Sequence, residues 1–303
     1  MRLRRIGAVG AIALATVLVA GACGSGGGSS SSSNKAMTIA SFNFGESEIL
    51  AHMYGDALQK EGFKITYKDK LGNREVVYPA LKSGQVDLVP EYEGTLLTFI
   101  NANGGANGDA TDTYNKLQAE LKKDGTLEAL KFSPAADQNA FAVTKTTADK
   151  DNLKTTSDLK AYANQMTLGG PPECPTRPFC QPGLQQTYGL TFKSFKSLDA
   201  GGPLTKSALD SGAIDVGLLF SSDGSIAAKG YVVLDDDKHL QTADNVVPVI
   251  RKDKLDSNAQ KALDKVSAAL TSSELAALNK QVDIDKADPS EVANTFLKSK
   301  NLV

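Results

Sequence analysis

From residue 37 onward, short apolar runs alternate with stretches whose apolar residues recur at helical spacing. The run 37–41 reads as a strand, and 46–62 as a helix with Ile49, Leu50, Met53 and Leu58 on one side and Gly62 at its end. A strand over 63–67, a helix over 75–83 closed by Gly84, and a strand over 86–89 complete a β-α-β-α-β order. That order predicts parallel strands with right-handed crossovers and ligands at the carboxyl ends of the strands. The stretches 41–47 and 87–95 fall at such ends.

The second of these, Asp-Leu-Val-Pro-Glu-Tyr-Glu-Gly-Thr, sets an aromatic ring, two carboxylates, a glycine and a hydroxyl at the start of an apolar helix. Free N–H groups and the positive end of a helix dipole suit such a place to ligands. The alternative is that Glu91 and Glu93 solvate a loop while Thr95 caps the helix.

A polar loop over 101–112, a helix over 113–123 and a strand over 130–132 lead to a second alternating unit that begins with the strand 140–144. Its expected elements are helices over 157–164, 182–188 and 204–211, with strands over 166–169, 192–195, 213–219 and 231–234. A strand over 245–250 and helices over 257–270, 273–281 and 289–299 finish the chain. Two α/β units followed by a helical tail that returns to the first is the plan of a two-lobed binding protein.

Composition narrows the chemistry. The net charge of −2 gives no basic surface for nucleic acid. His52 and His239 are the only histidines and neither lies near Cys174 or Cys180 in sequence, so no metal or cofactor is expected. In an oxidising compartment those two cysteines read as a small disulfide-closed loop. There is no Gly-x-Ser-x-Gly elbow, no Walker loop and no histidine placed to activate a nucleophile, which argues against an enzyme. Asp235, Asp236 and Asp237 form a charge run without the spaced oxygens of an EF-hand.

At the front, Arg2, Arg4 and Arg5 precede an Ala/Gly-rich apolar segment, so 1–22 reads as a signal peptide. Cys23 follows it and opens a Gly/Ser tether over 23–35, which resembles a bacterial lipobox. A lipid on Cys23 would anchor the protein to the membrane outside the cytoplasm; ordinary cleavage near Ala22 is the alternative.

Further residues carry a resemblance to a family. Asn43-Phe44 with Glu46, Leu71-Gly72, Val76-Val77, Asp87-Leu88, Pro90-Glu91-Tyr92 and Gly94-Thr95 resemble the glycine betaine/choline (osmoprotectant) substrate-binding proteins of ABC importers. So do Arg177-Pro178, Pro182-Gly183-Leu184, Asp215-Val216, Phe220-Ser221-Ser222-Asp223-Gly224 and Pro248-Val249-Ile250-Arg251. The resemblance implies an α/β, two-lobed type II periplasmic-binding-protein fold with two interlobe crossovers and a ligand cleft. With crossovers near 135–138 and 241–246, lobe I takes 36–136 plus 246–303 and lobe II takes 137–245. It also implies a monomer whose partners are a small solute, an ABC permease and that permease's separate ATPase subunits.

Carried over by position, Tyr92 and Thr95 match the cleft wall, Arg177 the arginine that clamps a ligand carboxylate, and Asp137 an acidic cleft residue. Phe42 stands where a lysine is usual and Ser47 where a glutamine is common. Asn139 and Asp244 occupy positions of the family's aromatic box, leaving Tyr92 and Phe220 as its rings, while Asp244 or Glu93 would add charge for a cation. The resulting expectation is capture of glycine betaine, choline or carnitine. An incomplete box brings in a non-cationic polyhydroxylated or polyphenol ligand as the alternative. A ligand-sensing or adhesion lipoprotein uncoupled from transport is the alternative of another class. Each residue also has a plainer reading: a surface salt bridge for Arg177, a core ring for Phe220.

Overall fold

A computed structural model describes residues 35–303; the expected signal peptide, Cys23 and the tether up to residue 34 lie outside the described residues. The first half follows the expected alternation: β1 (Ala36–Phe42), α1 (Gly45–Lys60), β2 (Lys64–Gly72), α2 (Arg74–Ser83), β3 (Leu88–Tyr92), α3 (Glu93–Ile100), α4 (Ala110–Asp124) and β4 (Leu127–Ala129). Then come β5 (Asn139–Val143), α5 (Lys145–Asp151), β6 (Thr167–Gly170), α6 (Gln181–Tyr188), β7 (Ser194–Ser197), α7 (Pro203–Asp210), β8 (Val216–Phe220), α8 (Ser225–Lys229) and β9 (Val232–Val233). The strand β10 (Val246–Arg251) and helices α9 (Ser257–Ala269), α10 (Ser272–Asp283) and α11 (Pro289–Ser299) close the chain.

These strands form two mixed sheets of five, one per lobe, ordered β2-β1-β3-β10-β4 and β7-β6-β8-β5-β9. In each, three strands linked by helical crossovers are parallel, and a fourth, which follows directly on a connection from the other sheet, runs antiparallel beside the third. The sequence order predicts the parallel part; the antiparallel strand reflects a chain that changes lobes twice. Side-chain alternation assigns the second sheet's two faces: Phe141 and Leu218 join one apolar cluster while Ala142 and Leu219 join another. The tail helices return to the first lobe, where Leu263, Val266, Leu275, Val292 and Phe296 share a core with Ile49, Leu50 and Met53 of α1.

Some expected elements differ. The strand expected over 130–132 lies three residues earlier, as β4, because 127–129 pairs with Val249–Arg251 and the chain then leaves the sheet for the other lobe. The helix expected over 157–164 is instead two 3₁₀ turns, the first opened by a capping box between Thr155 and Asp158. The two connections between the sheets run side by side: Ala136 bridges Asn245, the Asp137 N–H donates to the Asp244 carbonyl at 3.0 Å, and the Gln138 amide donates to the Thr242 carbonyl.

Candidate functional site

A cavity of about 360 Å³ opens between the lobes, at the small end of the range for small-molecule sites. Its first-lobe wall comes from the carboxyl ends of β1, β2 and β3 and from α3: Phe42, Phe44, Arg74, Glu75, Tyr92, Thr95 and Phe99. The second lobe adds Asn139, Phe220 and the loop closed by the Cys174–Cys180 disulfide, with Arg177 and Phe179 at its face. Asp137 and Asp244 enter from the two connections.

The rings form a chain through the cavity. Phe44 lies 5.9 Å from Phe42, 6.3 Å from Tyr92 and 5.4 Å from Phe220, so both lobes contribute to one aromatic surface. The Arg74 guanidinium lies over the Phe42 ring at 5.5 Å. Arg74 is fixed by a two-pronged pair with Glu91, its Nη2 donating to Glu91 Oε2 at 2.8 Å and to Thr95 Oγ1 at 2.8 Å. Both partners are buried, and an arginine's planar fork matches a carboxylate in this way.

The expected donors at the start of α3 already have a partner. The N–H groups of Gly94 and Thr95 donate to Asp244 Oδ1 at 2.9 and 2.8 Å, and the Thr95 hydroxyl donates to the same oxygen at 3.2 Å. Asp244 thus caps the helix from the second connection. Gly94 is required there, since a Cβ would meet the Ala243 carbonyl oxygen at 2.4 Å. Burial raises the Asp244 carboxyl to about 7, against the lowering effect of these donors and Arg74.

A second buried acidic group joins the lobes behind Tyr92. The Tyr92 hydroxyl donates to Glu46 Oε1 at 2.5 Å, while Ser222 Oγ and Asn279 Nδ2 each donate to Glu46 Oε2 at 2.5 Å. Asp137 accepts from the Ser222 N–H at 2.9 Å and from the Ser221 hydroxyl at 3.2 Å. Burial raises both carboxyls, and for Asp137 the nearby Glu46 charge adds to it. Burial likewise pushes the Tyr92 hydroxyl well up, so it stays a neutral donor.

Of the sequence-predicted residues, Phe42, Tyr92, Thr95, Asp137, Asn139, Arg177, Phe220 and Asp244 meet at the cavity. Ser47 does not: it is fully buried, and its hydroxyl accepts from the Phe42 N–H at 2.8 Å, fixing the end of β1. Glu93 is also buried away from the cavity; neither carboxylate oxygen has a hydrogen-bond partner among the described residues, and burial followed by the Asp244 charge raises it to about 9. Arg177 lines the cavity, yet it also makes the salt bridge of its plainer reading, with Nε and Nη2 donating to Glu75 at 2.9 and 2.8 Å.

Phe44, Arg74, Glu75, Phe99 and Phe179 were not singled out as site residues, although Phe44 lies inside the flagged 41–47 stretch. Arg74 and Glu75 follow β2 and obey the same strand-end rule. Phe179 is the instructive case: its carbonyl accepts from Asn139 Nδ2 and from Gln241 Nε2, both at 3.1 Å. Where the resemblance implies a tyrosine, Asn139 instead holds the carbonyl of Phe179, a residue that lines the cavity.

A family model described as the substrate binding domain of ABC-type glycine betaine transport systems matches residues 35–299. The chain is 27% identical to the glycine betaine-binding protein YehZ of Escherichia coli, over 84% of this chain and 87% of that protein. It is 26% identical to the carnitine transport binding protein OpuCC of Listeria monocytogenes, over 84% of each. A crystal structure described as a glycine betaine/carnitine/choline ABC transporter superposes with a TM-score of 0.69 at 28% identity, covering 88% of this chain and 99% of that one. With nearly every described residue matched, the chain belongs to the substrate-binding-domain family of ABC-type glycine betaine transport systems and is a non-enzymatic transport receptor that works outside the cytoplasm.

Proposed function

We propose that this receptor captures a small quaternary ammonium osmoprotectant of the glycine betaine, choline and carnitine class between its lobes and delivers it to a permease driven by separate ATPase subunits. One observation carries the reading: four rings, Phe42, Phe44, Tyr92 and Phe220, meet two buried carboxyls, Asp137 and Asp244, in one cavity. A quaternary ammonium has no N–H to donate, so ring faces and net negative charge must hold it, each ring contributing about 0.5–2 kcal/mol. Both cavity arginines are paired with carboxylates, Arg74 with Glu91 and Arg177 with Glu75, so neither opposes a cation with unpaired charge, and Asp244 adds negative charge above about pH 7. A ligand carboxylate would take Arg177 as its partner. The relatives named for glycine betaine and carnitine support the same class.

The lobes are proposed to be 36–136 with 246–303 and 137–245, closing about the paired connections at 135–138 and 241–246. Cys23 is proposed as the lipid attachment; labelling with a radioactive fatty acid should be lost in Cys23→Ala.

Calorimetric titration of the mature chain with glycine betaine, choline, carnitine, sugars and polyphenols tests the ligand class. Saturable binding of at least one quaternary ammonium compound, weakened in Phe44→Ala, is expected. Binding confined to sugars or polyphenols would replace this reading with the non-cationic one.

A further inference from the structure

Glu75 and Arg177 face each other across the cavity from different lobes, one on the first turn of α2 and the other in the disulfide-closed loop. Arg177 donates from Nε to Glu75 Oε1 and from Nη2 to Glu75 Oε2 at 2.9 and 2.8 Å, while its guanidinium lies over the Phe99 ring at 5.8 Å. This is the parallel two-bond geometry that a guanidinium offers to any carboxylate. The family's carboxylate clamp is therefore engaged by a carboxylate of the protein itself. The pair is partly open to water, with side-chain exposures of 24% and 42%, so exchanging one carboxylate for another exposes no buried charge.

We infer that Glu75 sets the receptor's ligand preference by competing with the ligand's carboxylate for Arg177, biasing the site toward quaternary ammonium compounds that lack one. A carboxylate-bearing ligand must either displace Glu75 or share the guanidinium with it, and both cost affinity through loss of the pair or like-charge repulsion. A ligand such as choline, with no carboxylate to offer, leaves the pair intact. The inference rests on the proposed ligand class and on Arg177 as the clamp.

Titrating wild type, Glu75→Gln and Arg177→Gln with glycine betaine and choline, at low and high salt, separates the two. In Glu75→Gln, glycine betaine should bind about tenfold more tightly relative to choline, the equivalent of ~1.4 kcal/mol, with the gain shrinking as salt screens the pair. In Arg177→Gln, glycine betaine should weaken selectively. An unchanged ratio in Glu75→Gln beside a selective loss in Arg177→Gln overturns the competition and leaves the clamp standing. Equal weakening of both ligands in Arg177→Gln removes the clamp and the competition with it. Failure of both ligands to bind wild type overturns this inference, and failure of carnitine as well overturns the ligand class. Glu75 is exposed enough that a folded variant is expected, and its thermal unfolding checks this.

Discussion

Arg74 and Arg177 stand on the same cavity and each grips a carboxylate with two prongs, yet they belong to different kinds of structure. Arg74 and Glu91 are 7% and 1% exposed at their side chains and lie within one lobe, and Arg74 also donates to the Thr95 hydroxyl. Arg177 and Glu75 are several times more open and reach across from separate lobes. A buried pair is worth little when formed but is costly to break, because its survivor is left charged in a low dielectric. An exposed pair is cheap to open. One arginine is thus scaffold that holds Phe42 and the start of α3 in place, and the other is free to change partners.

The sharpest way to break this contrast is to truncate each arginine. Arg74→Ala should cost about 3–5 kcal/mol of stability in urea unfolding, and Arg177→Ala less than about 1 kcal/mol; equal losses would erase the distinction. Next, Tyr92→Ala should abolish choline-induced thermal stabilisation while the chain still unfolds cooperatively, and unaltered stabilisation would remove Tyr92 from the wall.

The same division separates two acids. Glu93, off the cavity, has its carboxyl raised to about 9, so the folded chain keeps a proton that the unfolded chain releases. Its stabilising effect is complete below the ordinary carboxyl range and is lost progressively as pH rises toward 9. Glu93→Gln should therefore raise the melting temperature more at pH 8 than at pH 5, and an equal shift at both would contradict a retained proton. Asp244, on the cavity, titrates near 7 and gains negative charge above it. Choline carries no titrating group in that range, so its affinity should rise by a modest factor from pH 6 to pH 8 and level off beyond. A flat profile would mean that Asp244 does not face the cation.

The βαβ order was legible because parallel strands and crossover helices leave different apolar periods; of the cap signals in the tail, Asp288 does cap α11, while α10 is capped by Thr271 rather than by Ser272 beside it. The antiparallel strand of each sheet was not legible, since β5 and β10 enter from distant parts of the chain and no local pattern announces a partner. Position matching found Tyr92, Asp137 and Asp244, but it read Asn139 as a gap in the aromatic wall. In the structure Asn139 holds the Phe179 carbonyl, a contact between residues forty apart that sequence spacing does not display. Ser47 was placed at the cavity by the family match and Glu93 as a charge for the cation, and neither lies there. A helix turns adjacent residues to different faces, and these two point into the protein.

Gly94 has a mechanical consequence. With no side chain on it, the backbone of the second connection rests directly on the first turn of α3, while Asp244 pins the two together through three hydrogen bonds. Neither surface can shift along the other without breaking bonds to that one oxygen, and a bulkier residue at 94 would pry the connection off the helix and strip all three donors of their shared acceptor.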